Sequence, residues 1–144
     1  MAGLILPVTL SAAAACALIN LWLAWRVGRI RRAERISIGD GGNERLTARM
    51  RAHLNFAEFA PIVLILLALT EAAHGTSIAL WAAAALFVVA RIAHPIGMDG
   101  LIPARAFGII ATFAVTAGLA VYAIVILAGG GAPDIAIPLP PATG

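Results

Sequence analysis

The chain has 144 residues, of which 62% are hydrophobic and 12% charged, with a mean hydropathy of +0.98. Soluble domains run at roughly 45–50% apolar and about 25% charged, so an ordinary soluble domain is excluded, as is a disordered tail, which needs low hydrophobicity. The net charge of +3 and a pI near 10.5 raise nucleic acid as a partner. However, every basic side chain is an arginine, and eight of the ten lie between Arg26 and Arg51, beside apolar runs. That is where the cytoplasmic loop charges of a membrane protein belong, and no nucleic-acid partner is expected. The apolar runs are continuous rather than alternating, which argues against a transmembrane barrel. At about 20 residues per span the chain holds four helices. The expected fold is therefore all-α, an integral membrane four-helix bundle in one domain over residues 1–131, with an irregular tail beyond it.

The first span is expected over about 4–27. Its basic residues follow the apolar run rather than precede it, unlike those of a secretory signal. A basic helical extension carries Arg26, Arg29, Arg31, Arg32 and Arg35. Gly39, Gly41 and Gly42 around Asp40 then mark a loop. The second span is expected over about 47–74, its helix starting near Glu44 or Thr47, with Pro61 as a kink or a source of one freed carbonyl. The third, about 77–94, has the shortest uncharged core and ends at Arg91, and His94–Pro103 reads as a turn around Pro95 and Gly97. The fourth runs over about 104–128, with Arg105 at its start; residues 132–144 hold four prolines. The second connection, around His74, lacks basic residues, so connections one and three are assigned to the cytoplasm. A Lys-free chain rich in Ala and Arg points to a bacterial inner membrane. The lone Cys16 permits no intrachain disulfide and reads as a small packing residue. No His pair has metal-ligand spacing, so no metal is expected.

The most informative stretch is in the second helix. Arg51, Asn55 and Glu58 recur at i, i+4 and i+7 and fall on one narrow stripe. A charge near the bilayer centre costs roughly 2.5–3.5 kcal/mol on insertion scales, so Glu58 should face the bundle interior or a wet cavity with a partner. One reading is a structural ion pair with Arg51, with Asn55 as interhelical glue. The other is a polar pocket in which the guanidinium meets a carboxylate and Glu58 meets an ammonium. Spacing leaves both open. His53 lies on the face opposite Asn55 and reads as a helix contact.

The pattern Arg51-x-x-x-Asn55-x-x-Glu58-x-x-Pro61 resembles the second-helix signature of the MAPEG family, membrane-associated proteins in eicosanoid and glutathione metabolism. Arg31-Arg32-Ala33-Glu34-Arg35-Ile36-Ser37 is similar to the family's basic end of helix one, Ala90-Arg91-Ile92-Ala93-His94-Pro95-Ile96-Gly97 to its third-helix ending, and Arg105 to an arginine opening helix four. The resemblance implies a homotrimer in which glutathione, the co-substrate, lies between adjacent subunits near the cytoplasmic side. Arg51, Asn55 and Glu58 would hold its polar ends, and Arg31 and Arg91 would add cationic contacts. Arg105, with Arg32 as second candidate, would lie near the sulfur. A fixed guanidinium lowers the pKa of a thiol and stabilises the nucleophilic thiolate, but it cannot act as a base. A lipid-facing groove would deliver a lipophilic electrophile or lipid hydroperoxide. Better-known eukaryotic members carry tyrosines where this chain has Phe59, His94 and Met98, and Gln at His53; His94 can still donate a hydrogen bond to the ligand. The implied activity is that of a membrane glutathione transferase or peroxidase. The rival readings are a small proton-coupled transporter that uses Glu58 and a non-catalytic lipid-binding relative of the same fold.

Overall fold

The computed structural model describes residues 5–129. It contains four helices, α1 (Pro7–Glu34), α2 (Glu44–His74), α3 (Ile78–Met98) and α4 (Ile102–Ala128), and no strand among the described residues. The expected tail over 132–144 lies outside them. Each helix is long and apolar enough to cross a membrane. At 1.5 Å per residue, α1 with its 28 residues spans about 42 Å, more than the roughly 30 Å of hydrocarbon.

Local chemistry sets the ends. Pro7 sits in the first turn of α1, where its missing N–H costs nothing. Arg35 closes α1 in the left-handed region at φ 53°, with its N–H returned to the Arg31 carbonyl. The side chains of Asn43 and Ser77 cap α2 and α3 by accepting from Leu46 N and Leu80 N. The helices persist through Pro61 and Pro95. The turn expected over His94–Pro103 therefore shrinks: α3 continues to Met98, and the connection to α4 is Asp99–Leu101. Pro95 is buried between helices, where packing offsets the loss of one backbone bond.

The helices pack as a diamond. α2 and α3 touch each other and both outer helices, whereas α1 and α4 do not meet. The core is built from Val8, Ala12, Cys16, Ile19 and Leu23 of α1, Phe56, Ala60, Val63 and Leu67 of α2, Leu80, Ala84 and Phe87 of α3, and Val115 and Leu119 of α4. Their steps of three and four keep each row on one helix face. Cys16 is a core residue, as its size suggested. α3 and α4 approach most closely. A Cβ on Gly97 would lie 2.1 Å from Arg105 N, and one on Gly108 would lie 2.7 Å from His94 Cβ. Only hydrogen at these two positions lets the backbones meet.

Polar staples hold both ends. At one, Arg26 of α1 and Arg49 of α2 pair with Asp99, the residue that caps α3, and Arg49 Nη1 donates to Arg26 O at 3.3 Å. At the other, the Glu71 carboxylate accepts from Val8 N, Thr9 N, Thr9 Oγ1 and Thr76 Oγ1 at 2.8–3.0 Å. It closes the start of α1 as a cap supplied from another helix. His53 hydrogen-bonds Asn20 at 2.8 Å and joins α2 to α1.

Candidate functional site

A cleft of about 400 Å³ opens between α2, α3 and α4 at the arginine-rich end. α2 supplies Arg51, Asn55, Glu58 and Phe59; α3 supplies Arg91, His94 and Met98; α4 supplies Arg105, Ile109, Thr112 and Phe113. The helical stripe of Arg51, Asn55 and Glu58 thus faces one space together with Arg91, His94 and Arg105. Arg31 and Arg32 are not brought there within one chain. Arg31 turns to the Ile36 and Ser37 carbonyls at 3.5 and 3.2 Å and to Met50 Sδ at 3.4 Å, and Arg32 is exposed near the end of α1.

Arg91 organises the cleft floor. It is 2% exposed. Nη1 donates to Asn55 Oδ1 at 2.9 Å, and Nη2 donates to Thr112 Oγ1 at 2.6 Å and Gly108 O at 3.3 Å. Thr112 in turn donates to Gly108 O at 2.6 Å. With its carbonyl oxygen engaged, the Asn55 amide is left with an NH₂ group as donor. The Arg91 guanidinium lies 5.9 Å from the Phe59 ring and 5.7 Å from the Phe87 ring, a weakly attractive placement for a desolvated cation. Its Nε and His94 Nδ1 are buried and unpartnered. Buried polar groups are nearly always satisfied, so the floor holds unspent hydrogen-bonding capacity, a donor at Arg91 Nε and a ring nitrogen at His94.

The Arg51–Glu58 ion pair allowed by spacing does not form. The ion pairs among the described residues are those of Asp99 with Arg26 and Arg49. Two turns of helix separate Arg51 from Glu58, and both side chains are exposed to the cleft. Asn55 does join helices, through Arg91.

Thr112 went unnoticed in the sequence although a signal exists. Arg105, Ile109 and Thr112 repeat the i, i+4, i+7 spacing of Arg51, Asn55 and Glu58, so the Thr112 hydroxyl shares a helix face with Arg105. The Phe59 and Phe113 rings, 5.5 Å apart at 46°, form the apolar side of the cleft.

Curated proteins yield no match to the chain. A family model does, over residues 9–125, a stretch that includes every cleft residue and most of the four helices. This match, with the four apolar helices and the arginine-rich cleft, shows that the chain is an integral membrane four-helix bundle and belongs to the MAPEG family.

Proposed function

We propose that the cleft binds glutathione and presents its thiolate to a lipophilic electrophile or lipid hydroperoxide, as a membrane glutathione transferase or peroxidase. One observation carries this reading: Arg51, Arg91 and Arg105 share the cleft with a single carboxylate, Glu58, and none of the four forms an ion pair among the described residues. Glutathione as its thiolate has the inverse set, two carboxylates and a sulfur anion against one ammonium. Arg51 takes a carboxylate and Glu58 the ammonium, with the Asn55 amide as donor between them. Arg91 adds cationic field from the floor, and His94 donates a hydrogen bond. Arg105 stabilises the thiolate electrostatically. In transfer, the sulfur lone pair forms the C–S bond as the leaving group departs with its electrons. In the peroxidase reaction, sulfur attacks the terminal peroxide oxygen, the O–O bond breaks and the alkoxide is protonated. A second glutathione then releases disulfide and water.

Arg31 and Arg32 do not line the cleft of their own chain, which suits a homotrimer in which these residues of a neighbouring copy complete the site. The arginine-rich end, with the first and third connections, faces the cytoplasm, and the composition fits a bacterial inner membrane. Three guanidiniums beside Glu58 would repel a cation, which disfavours the proton-coupled transporter.

The test is ultraviolet difference absorbance and calorimetry in detergent. Wild-type protein should give a thiolate band on addition of glutathione. Arg105→Ala should bind glutathione without the band, and Arg51→Ala should lose binding. A wild-type protein that gives neither binding nor a band refutes the reading.

A further inference from the structure

The hydrogen bonds beneath the cleft run in one direction. Thr112 Oγ1 donates to Gly108 O at 2.6 Å and accepts from Arg91 Nη2 at 2.6 Å, and Arg91 Nη1 donates to Asn55 Oδ1 at 2.9 Å. A hydroxyl has one proton, and Thr112 spends it on the carbonyl four residues back in its own helix. What it offers Arg91 is therefore a lone pair. A guanidinium has donors only, so the Asn55 amide must turn its oxygen to Arg91 and its NH₂ away. Among the described residues the Asn55 side chain hydrogen-bonds only as that acceptor, and it lines the cleft. Proton direction is fixed from the α4 backbone to the ligand space.

The Arg91 guanidinium is held at few points. Its Nε has no partner, and the other contact of Nη2 is with Gly108 O at 3.3 Å. The 2.6 Å bond to Thr112 is the shortest that it makes. With a methyl in place of that hydroxyl, Arg91 Nη2 keeps only the long bond to Gly108 O. The guanidinium is then free to turn from Asn55, and the amide presents either end to the cleft. Thr112 is 1% exposed and Arg91 2%, within a single chain. A neighbouring copy would add to their burial without replacing these contacts.

We propose that Thr112 is a positioning residue that acts through Arg91 to hold Asn55 as a donor, and so selects a hydrogen-bond acceptor on the ligand at that point of the cleft. An amide left to itself accepts as readily as it donates. One with its oxygen engaged favours a carboxylate and rejects an ammonium or a hydroxyl proton. Thr112 sits under the floor and acts on the ligand only through the two residues above it. The inference rests on the glutathione reading for the identity of the ligand, but not for the orientation of the amide.

Nuclear magnetic resonance and calorimetry on the full chain in detergent test the proposal. Asparagine-selective isotope labelling gives three side-chain NH₂ signals, from Asn20, Asn43 and Asn55, and Asn55→Ala assigns the third. Without ligand, the Asn55 signal should be the same in wild type and Thr112→Ser, and shifted or broadened in Thr112→Val. Thr112→Val should weaken glutathione binding by about tenfold, the size of one charge-assisted contact, and Thr112→Ser should keep it within about twofold of wild type. In an Asn55→Ala background Thr112→Val should cost nothing further, because members of one network are not additive. An Asn55 signal that Thr112→Val leaves unmoved, or an equal loss of affinity with and without the Asn55 side chain, would overturn the proposal and make Thr112 a packing residue. Asn55→Asp keeps an acceptor for Arg91 but has no proton to donate, and should weaken binding by about tenfold or more. Unchanged affinity there would also overturn the proposal, even if Thr112→Val failed to fold. A wild-type chain that ignores glutathione would remove the ligand reading alone, since the Asn55 signal still decides the orientation.

Discussion

Glu58 and Glu71 sit on the same helix and live in opposite circumstances. Glu71 is 2% exposed and accepts four hydrogen bonds, two from backbone N–H groups of α1 and two from threonine hydroxyls. Glu58 is exposed to a cleft, with no ion-pair partner among the described residues. A buried carboxylate survives only when its lone pairs are filled by the protein itself, so Glu71 is closed chemistry and a structural element. A carboxylate left open beside three guanidiniums retains capacity for something that arrives from outside. Satisfaction within the fold, rather than charge or depth in the sequence, separates staple from site.

The largest test of that distinction is Glu71→Ala. It strands a buried backbone donor at Val8 and leaves the start of α1 uncapped. At about 1–3 kcal/mol per unsatisfied buried group, the bundle should lose about 3 kcal/mol, read as a lowered melting temperature in detergent, while the surviving folded fraction keeps its glutathione affinity. Glu58→Gln should do the reverse. Loss of one charge-assisted contact weakens glutathione binding by about tenfold to a hundredfold, with the melting temperature unchanged. A Glu58→Gln protein that melts early but binds normally would make Glu58 a staple as well.

The sequence exposes one of these glutamates and hides the other. Glu58 announces itself because Arg51 and Asn55 stand on its own helix at spacings that periodicity reads directly. Glu71 lies in an apolar run, and three of its four hydrogen bonds come from Val8 and Thr9, more than sixty residues away and beyond the reach of any local pattern. The same holds for Asp99, whose partners are Arg26 and Arg49 on two other helices. The four spans are legible because hydropathy is a local property. The true end of α3 is not, since Pro95 ordinarily stops a helix and only its burial between helices keeps the turn going. Arg91, His94 and Arg105 entered through family resemblance. The role of Arg91 as an anchor of Asn55 depends on the α3–α4 approach at Gly108, a contact between helices that leaves no local pattern in the sequence.

Asp99→Asn probes a staple of intermediate kind. Arg26 and Arg49 are buried, but the Asp99 side chain is 37% exposed, so solvent screens part of the attraction. A loss of about 1 kcal/mol in stability is expected, with faster amide exchange at Gly100 and little change in glutathione affinity. A change in affinity larger than the change in stability would mean that the Asp99 turn governs the cleft through Arg105, and the boundary between staple and site would have to move.

The smallest effect belongs to Asp40, in the loop between α1 and α2. Its carboxylate accepts from Gly42 N at 3.0 Å and Thr47 Oγ1 at 2.9 Å. The Gly42 amide first, then the Thr47 hydroxyl, hold its pKa below the ordinary value of 3.8. A folded value below the unfolded one stabilises the loop fully above pH 3.8, and the contribution fades as pH falls through the folded value. Amide exchange at Gly42, corrected for its intrinsic pH dependence, should therefore lose protection only in that acid window. Asp40→Asn keeps an acceptor but cannot titrate, so its corrected protection should be flat with pH. Glu71, sealed by its donors at the far end of the bundle, should keep Thr9 protected across the same window in both proteins. If Thr9 and Gly42 open together, the two ends melt as one unit and the loop is not an independent element.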